Sequence, residues 1–324
     1  MKRFLLFFVV LMLTVPFKAY AEELKGDMNG DNVLDVTDVT MLISCVLNDG
    51  EVTTVADLND DKIIDVNDVV LLISMVLEGY SVTPGNETFT VNGVSFTMVY
   101  VEGGTFTMGA TEEMLQNAYS NEFPTHEVTL SSYYIGETEV TQALWMAVMG
   151  NNPSNFTEAN GYTEDLNRPV ETVNWNECQT FIAALNELTG KTFRMPTEAE
   201  WEFAARGGNK SKGYTYSGGN NLNEIAWWHG NRYDPYDGTK TVATKAPNEL
   251  GLYDMTGNVW DWCQDWYGSY SSEPQVNPTG PATGNYRVFR GGYWRAFEVK
   301  SRVSFRHYYY PWSRFNYVSL RLVL

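Results

Sequence analysis

Two stretches of the chain share one pattern of polar and apolar positions. DMNGDNVLDVTD at residues 27–38 and DLNDDKIIDVND at residues 57–68 are acidic at regular intervals, and each runs into an apolar segment, residues 39–47 and 69–77, that predicts one helix. The repeat thus predicts a loop and a helix, twice. Residues 79–88, GYSVTPGNET, carry the Gly, Ser and Pro content of a linker, and the pattern changes after them. Residues 89–101 alternate as two strands around an Asn92-Gly93 hairpin turn, and residues 126–134 alternate again. Residues 139–149 place Val140, Leu144, Ala147 and Val148 on one helical face, and residues 173–188 repeat the helical period. Thr197 followed by Glu200 forms a capping box that opens a third helix, carrying Trp201, Phe203 and Ala204 into the core. Near the end, Val318, Leu320 and Leu322 alternate as a core strand.

Between these elements lies GLYDMTGNVWDWCQDW, residues 251–266, too polar for a plain core strand and too aromatic for a plain loop. Tyr253, Trp260, Trp262 and Trp266 supply apolar bodies, while Asp254 and Asp261 bracket the bend at Gly257-Asn258. Carboxylates at both ends of a bend and carbonyls in its middle can cage a hard cation. Spacing alone favours the plainer alternative, a corner with solvated acids.

Charge and cysteine content narrow the function. A net charge of -18 argues against nucleic acid and against anionic membrane surfaces, both approached against repulsion. Residues 22–80 hold 14 acids and 2 lysines, so this segment carries 14 − 2 = 12 of the 18 excess charges. Residues 1–21 read as a secretory signal peptide, with Lys2 and Arg3 ahead of an apolar run and Ala19-Tyr20-Ala21 as a cleavage site. No later stretch is long and apolar enough to insert into a membrane. The expected location is secreted: extracellular, attached to the cell surface, or periplasmic. Three cysteines, Cys45, Cys178 and Cys263, form no disulfide framework; a Cys178–Cys263 bridge stands open beside the favoured reading of buried free thiols.

The acidic repeat has the oxygen-ligand spacing of a calcium loop. Positions 1, 3, 5, 9 and 12 are Asp27, Asn29, Asp31, Asp35 and Asp38 in the first copy and Asp57, Asn59, Asp61, Asp65 and Asp68 in the second, with Val33 and Ile63 offering carbonyls at position 7. Residues 26–79 resemble a dockerin module, the calcium-dependent plug by which secreted proteins attach to cohesin modules. The resemblance implies two bound Ca2+ and a cohesin-type partner, with Val36-Thr37 and Val66-Asn67 at its recognition positions. Asn32 and Lys62 depart from it, standing where such loops usually have glycine. Asparagine tolerates the left-handed conformation and lysine tolerates it poorly, which makes the second loop the weaker site.

Residues 251–266, together with GGTFTMG at 103–109, FRMPTEAEWEFAARGG at 193–208 and RVFRGGYW at 287–294, resemble the formylglycine-generating enzyme, or sulfatase-modifying factor, family. The resemblance covers residues 89–324 and implies an α+β domain of C-type-lectin-like fold behind a small all-α calcium-loop module. It also implies one calcium held by Asp254, the Gly257 and Val259 carbonyls, and Asp261. Members of the family oxidise a substrate cysteine with a copper-holding pair of cysteines just after the segment matching Arg290-Gly291-Gly292. Here residues 293–311 contain no cysteine. No copper and no catalytic residue are therefore expected. A related branch holds iron on three histidines, but His126, His229 and His307 are scattered, and each reads as structural or surface.

Rings fill the cysteine-free segment. Tyr293, Trp294, Arg295, Phe297, His307, Tyr308, Tyr309, Tyr310, Trp312, Phe315 and Tyr317 are set within a frame of Arg302, Arg306, Pro311, Arg314 and Arg321. Binding surfaces use Tyr, Trp and Arg in this way, because a rigid ring offers much contact area for little lost entropy. Alternation fails at residues 308–312, which predicts a surface loop. The same end of the chain resembles target proteins of diversity-generating retroelements, which vary the C-terminal part of this fold; Ser319-Leu320 departs from the Gly-Phe expected in both groups. The favoured expectation is a secreted, non-catalytic binding protein with a glycan or protein ligand. The alternatives are a sulfatase-modifying oxidase with an atypical site and a structural component of a surface assembly.

Overall fold

The computed structural model describes residues 24–31, 33–48, 55–77, 84–231 and 238–324. Residues 1–21, read above as a signal peptide, and Asn32 lie outside them. The chain divides into two compact units between Pro84 and Gly85, within the linker-like stretch.

In the first unit each acidic loop runs into a helix, α1 (Val36–Leu47) and α2 (Val66–Leu77). Asp35 caps α1 by accepting from Thr37 N at 2.6 Å, and Asp38 reaches back to Asp35 N at 2.9 Å. The second copy repeats these bonds, with Asp65 accepting from Asn67 N at 2.7 Å and Asp68 from Asp65 N at 2.9 Å. Val39 and Leu42 pack with Val69 and Leu72 in a small core closed by Leu34, Ala56 and Leu58. Lys62 adopts φ 70°, the left-handed region, and its amide donates to Asp57 at 2.9 Å. Since a side chain there costs roughly 1 kcal/mol, Lys62→Gly is expected to stabilise this unit by about 0.5–1 kcal/mol in urea unfolding. A lower midpoint in the variant would show that the loop is not strained at this residue.

The second unit opens with an antiparallel hairpin, β1 (Glu87–Val91) and β2 (Val94–Val101), turning at Asn92 (φ 48°) and Gly93 (φ 84°) as the sequence predicts. Strand β3 (Gly104–Met108) pairs antiparallel with β4 (His126–Leu130), and β5 (Tyr133–Gly136) returns to β2. The single alternating run of residues 126–134 is therefore two strands in different sheets. The break falls at Ser131-Ser132, where the Ser131 amide leaves the ladder for Asn277 Oδ1 at 2.8 Å.

Helix α3 is Gln142–Met149, starting three residues later than expected because Thr141 is its N-cap. Helix α4 is Trp175–Thr189, opened by an Asn174/Glu177 capping box. The Thr197/Glu200 box opens α5 (Glu198–Ala205) as expected, and Trp201, Phe203 and Ala204 are buried. After a one-turn helix, α6 (Leu222–Ile225), comes a four-stranded sheet in the order β10-β6-β8-β9. It comprises β6 (Trp260–Trp266), β8 (Arg287–Arg290), β9 (Arg306–Tyr309) and β10 (Val318–Leu320), while the short β7 (Gln275–Val276) joins β4.

The chain's end closes the domain onto its beginning. Leu324 and Tyr134 exchange both backbone hydrogen bonds at 3.0 Å, and Val323 bridges Ile135 and Arg194. Strand β10 is buried on both faces, because the polar members of the alternating run, Ser319 and Arg321, are enclosed as well. Among the described residues, no helix is long and apolar enough to cross a membrane.

Candidate functional site

The segment from β8 to β10 separates into an inward arginine frame and a set of outward rings. Arg290 is fully buried and donates to the carbonyls of Ser304 (2.8 Å) and Phe305 (2.6 Å) and to Glu202. Arg302 grips Glu122 with two bonds of 2.7 Å, and Arg306 grips Glu198 at 2.8 and 2.5 Å. Arg321 donates to Asp261 (3.1 Å) and to the carbonyls of Gly136 and Tyr253 (both 2.8 Å). The loops carrying the rings are thus held from beneath by charge-assisted bonds that do not involve the rings. Arg314 lies nearer the surface and pairs with Glu177 at 2.8 Å.

The expected ligand residues divide three ways. Trp294 is buried, edge-on to Phe156. Half-buried are Tyr293, His307, Tyr308, Phe315 and Tyr317. His307 stacks on Phe289 (5.0 Å, 11°) and Tyr308 packs on Tyr267 (3.9 Å). Exposed are Arg295, Phe297, Tyr309, Tyr310 and Trp312, the last at 61%. Tyr310 and Trp312 stack nearly parallel, 4.8 Å apart at 18°. Tyr308 and Tyr309 do not belong to a loop as expected: they close the edge strand β9, opposite Val288 and Arg287, and only residues 310–312 leave the sheet, just before and around Pro311. Alternation is hidden here because the strand is four residues long and on the sheet's edge.

Two depressions lie among these rings. One, of about 230 Å3, is lined by Phe156, Tyr162, Tyr293, Trp294, Arg295, Asn316 and Tyr317. The other, of about 150 Å3, is lined by Trp260, Phe289, Tyr293, Lys300, His307, Tyr309, Phe315 and Tyr317. Tyr293 and Tyr317 belong to both. Sequence reasoning missed Phe156, Tyr162, Lys300 and Asn316, and also Tyr286, which packs on Tyr310 at 4.6 Å. Lys300 and Asn316 could have been found as polar positions inside the ring-bearing run; Phe156 and Tyr162 come from a loop without periodicity.

The thiols stand away from this chemistry. Cys178 and Cys263 are free and fully buried, so the open alternative of a bridge between them is not realised. Burial pushes both thiols well above their ordinary range, the reverse of what a reactive thiolate needs. The histidines are separate as well: His126 is buried against Tyr270, His229 packs on Phe297 and His307 lies in the ring cluster.

The central motif forms β6 and the turn before it, and its acids are buried rather than solvated. Asp254, Asp261 and Asp265 are 3%, 1% and 4% exposed. Asp261 Oδ2 accepts from Trp201 Nε1 (3.0 Å) and Arg321 Nε (3.1 Å). Asp254 Oδ2 accepts from Ala243 N at 2.7 Å, and the Gly257 amide donates to Gly291 O at 2.8 Å. Glu139 joins the cluster with both carboxylate oxygens unpartnered, 3.9 Å from Arg321 at the nearest. Burial raises Glu139 well above the carboxylate range and pushes Asp254 up to about 6, with the neighbouring carboxylates adding to the rise. Asp254 Oδ1 and Asp261 Oδ1 are likewise buried without a hydrogen-bond partner, so Arg321 answers only part of the cluster's charge, and these orphaned oxygens fit the hard cation expected at Asp254, Gly257, Val259 and Asp261.

The two acidic loops of the first unit also carry the ligand types of a hard cation. Their donor positions are all oxygen, and both copies fold the backbone around them in the same way. Asp38 Oδ1 accepts from Met28 N at 2.8 Å and Asp68 Oδ1 from Leu58 N at 2.9 Å. Asp31 Oδ1 accepts from Val33 N at 2.9 Å and Asp61 Oδ1 from Ile63 N at 2.8 Å. Among the described residues, however, no three His, Cys, Asp or Glu side chains converge on one point. In each loop the Asn at position 3 donates to the Asp at position 5, at 2.9 and 3.0 Å.

The fold and this arginine-framed segment define a sulfatase-modifying-factor type of domain. Residues 86–324 match the family described as the sulfatase-modifying factor enzyme 1-like domain, and the chain belongs to that family. It is 34% identical to the chaperone protein LppX of Paenibacillus barcinonensis over 69% of this chain and 85% of that protein. It is 31% identical to the formylglycine-generating enzyme of Streptomyces coelicolor over 60% of this chain and 77% of the other. Among solved structures, Treponema denticola variable protein 1 superposes with a TM-score of 0.66 at 35% identity, covering 74% of this chain and 99% of that one.

Proposed function

We propose that this is a secreted, non-catalytic binding protein whose second unit presents the rings of residues 293–317 to a glycan or protein ligand. The observation that carries the reading is the separation of frame from rings. Buried arginines fix the backbone, while Phe297, Tyr309, Tyr310 and Trp312 face solvent and take no part in the arginine frame. A scaffold locked independently of its surface tolerates change at that surface. This agrees with the resemblance to diversified target proteins, and with the likeness to a structure that is itself called a variable protein. Against oxidase chemistry stand the cysteine-free residues 293–311 and the two deeply buried thiols.

The first unit serves attachment in this reading. Asp27, Asn29, Asp31, Asp35 and Asp38, and their counterparts Asp57, Asn59, Asp61, Asp65 and Asp68, would each hold one Ca2+ with the Val33 and Ile63 carbonyls. The apolar positions left open on the helices, among them Val36 (69% exposed), Val66 (63%) and Val70 (57%), suit a cohesin-type partner. Calcium supplies the positive charge that lets the carboxylates sit close together. Chelation should accordingly lower the urea midpoint of residues 24–77, followed by hydrogen exchange, before it lowers that of the second unit. Equal midpoints for residues 24–77 with calcium and with chelator would contradict this assignment.

The function is tested by screening the full chain on arrays of oligosaccharides and peptides, beside a Tyr310→Ala/Trp312→Ala form. Removing two exposed contact rings should weaken retention about 10- to 100-fold, the range of one or two interface hot spots. In parallel, a sulfatase-type peptide incubated with the chain, copper and oxygen should keep its cysteine by mass spectrometry. Copper-dependent oxidation of that cysteine would replace the binding reading with an enzymatic one.

A further inference from the structure

We infer that the ligand of the ring-bearing face is an acidic oligosaccharide, its sugar faces stacked on the rings and its anionic groups paired with Arg295 and Lys300. The inference rests on the binding reading above and names the ligand class.

Charge supplies the first observation. In a chain with 40 acidic and 22 basic residues, carboxylates should dominate any stretch of surface, yet among the described residues neither depression has one in its lining. Each has one cation instead: Arg295 in the larger and Lys300 in the smaller. The other cations of this segment are engaged. Arg287 is sandwiched between Trp175 (3.8 Å) and Trp266 (3.5 Å), and Arg302, Arg306 and Arg314 are paired with Glu122, Glu198 and Glu177. Among the described residues Arg295 and Lys300 have no carboxylate partner; Arg295 only overlies the Trp294 ring at 5.3 Å. An unpaired cation beside aromatic walls is complementary to an anion carried on a flat body.

Size and shape give the second. At about 230 and 150 Å3 each depression is smaller than the roughly 300–1,000 Å3 that holds a whole drug-sized ligand, so each takes one unit of a longer chain. Because Tyr293 and Tyr317 wall both, a ligand with repeating units can occupy the two at once. Beyond them, the outer face of the Tyr310–Trp312 stack extends the same aromatic surface. Tyr162, Tyr293, Tyr317 and Asn316, each with a polar group, line the larger depression, and Trp294 Nε1 finds no acceptor. Ring faces beside tyrosine and asparagine polar groups suit a hydroxyl-rich sugar, whose flat faces stack and whose hydroxyls pair.

The test measures the full chain, with calcium present, against uronic-acid and sulfated oligosaccharides, their neutral parents, and Asp/Glu-rich peptides. At low salt the acidic sugars should bind at least about tenfold more tightly than their neutral parents. High salt should narrow that gap, and Arg295→Gln/Lys300→Gln should close it without lowering the melting temperature. Equal affinity for acidic and neutral sugars, or a gap that survives in the Gln variant, would overturn the acidic preference while the ring assignment stood. Retention of acidic peptides alone, or of no sugar at all, would overturn the ligand class. Binding that persists undiminished in Tyr310→Ala/Trp312→Ala would instead overturn the ring reading itself.

Discussion

Arg290→Leu is expected to destabilise the second unit by about 3–5 kcal/mol, the cost of removing one partner from a buried ion pair. The guanidinium is fully buried, packed 5.3 Å from the Trp201 ring, and joins the Ser304 and Phe305 carbonyls to Glu202 and, at 3.5 Å, to Glu198. Its loss takes the guanidinium from two carbonyls and leaves two buried carboxylates with Arg206 and Arg306 as their remaining cations. For a domain of this size the melting temperature should fall by roughly 10 °C. A Glu202→Leu/Arg290→Leu form should lose less than the sum of the two single changes, since it removes charge from both sides. A single variant melting within about 2 °C of the parent would mean that the ring-bearing segment is held by something other than this frame.

Stability of the same unit should fall as pH rises from about 5 to 9, and Asp265→Asn should remove much of that slope. Asp265 accepts from the Glu198 amide at 2.9 Å, and its carboxyl is pushed up to about 8, chiefly by burial and then by the Glu198 charge. A carboxyl whose folded pKa lies above its unfolded one keeps a proton that the unfolded chain has lost. Its contribution is full below the unfolded pKa near 4 and is lost as pH passes the folded one. Glu139 and Asp254 act in the same direction, whereas Glu122 and Glu177, held low by Arg302 and Arg314 against their burial, oppose it only at acid pH. The difference between Asp265→Asn and the parent should reach a few kcal/mol at pH 9, about 1.4 per unit of pKa difference. Parallel melting curves for the two chains from pH 5 to 9 would contradict the assignment of a buried proton to Asp265.

Elements with a long or capped period were legible in the sequence, and so was the acidic repeat. The Asn92-Gly93 hairpin, the Thr197/Glu200 helix start and the two loop-helix copies each carry a local signal strong enough to survive tertiary context. Short edge segments and buried acids were less legible. Residues 308–309 read as a loop but end the edge strand β9, and the central motif's acids read on spacing alone as solvated but are buried, because sequence spacing does not show that Arg321, 60 positions beyond Asp261, folds back onto it. The ring-bearing face was legible as composition, and its division into buried, half-buried and exposed rings was not. Tyr308 and Trp294 look like Tyr310 and Trp312 on paper, yet the first two pack inward and the last two outward.

The account turns on whether those outward rings contact a ligand. The most direct measurement is a pair of binding isotherms, the full chain and its Tyr310→Ala/Trp312→Ala form, on the ligand best retained in the array screen and at matched melting temperatures. Affinity lower by at least about tenfold in the variant, with folding unchanged, is the result predicted. Superimposable isotherms would contradict the account and leave the rings as surface without a function.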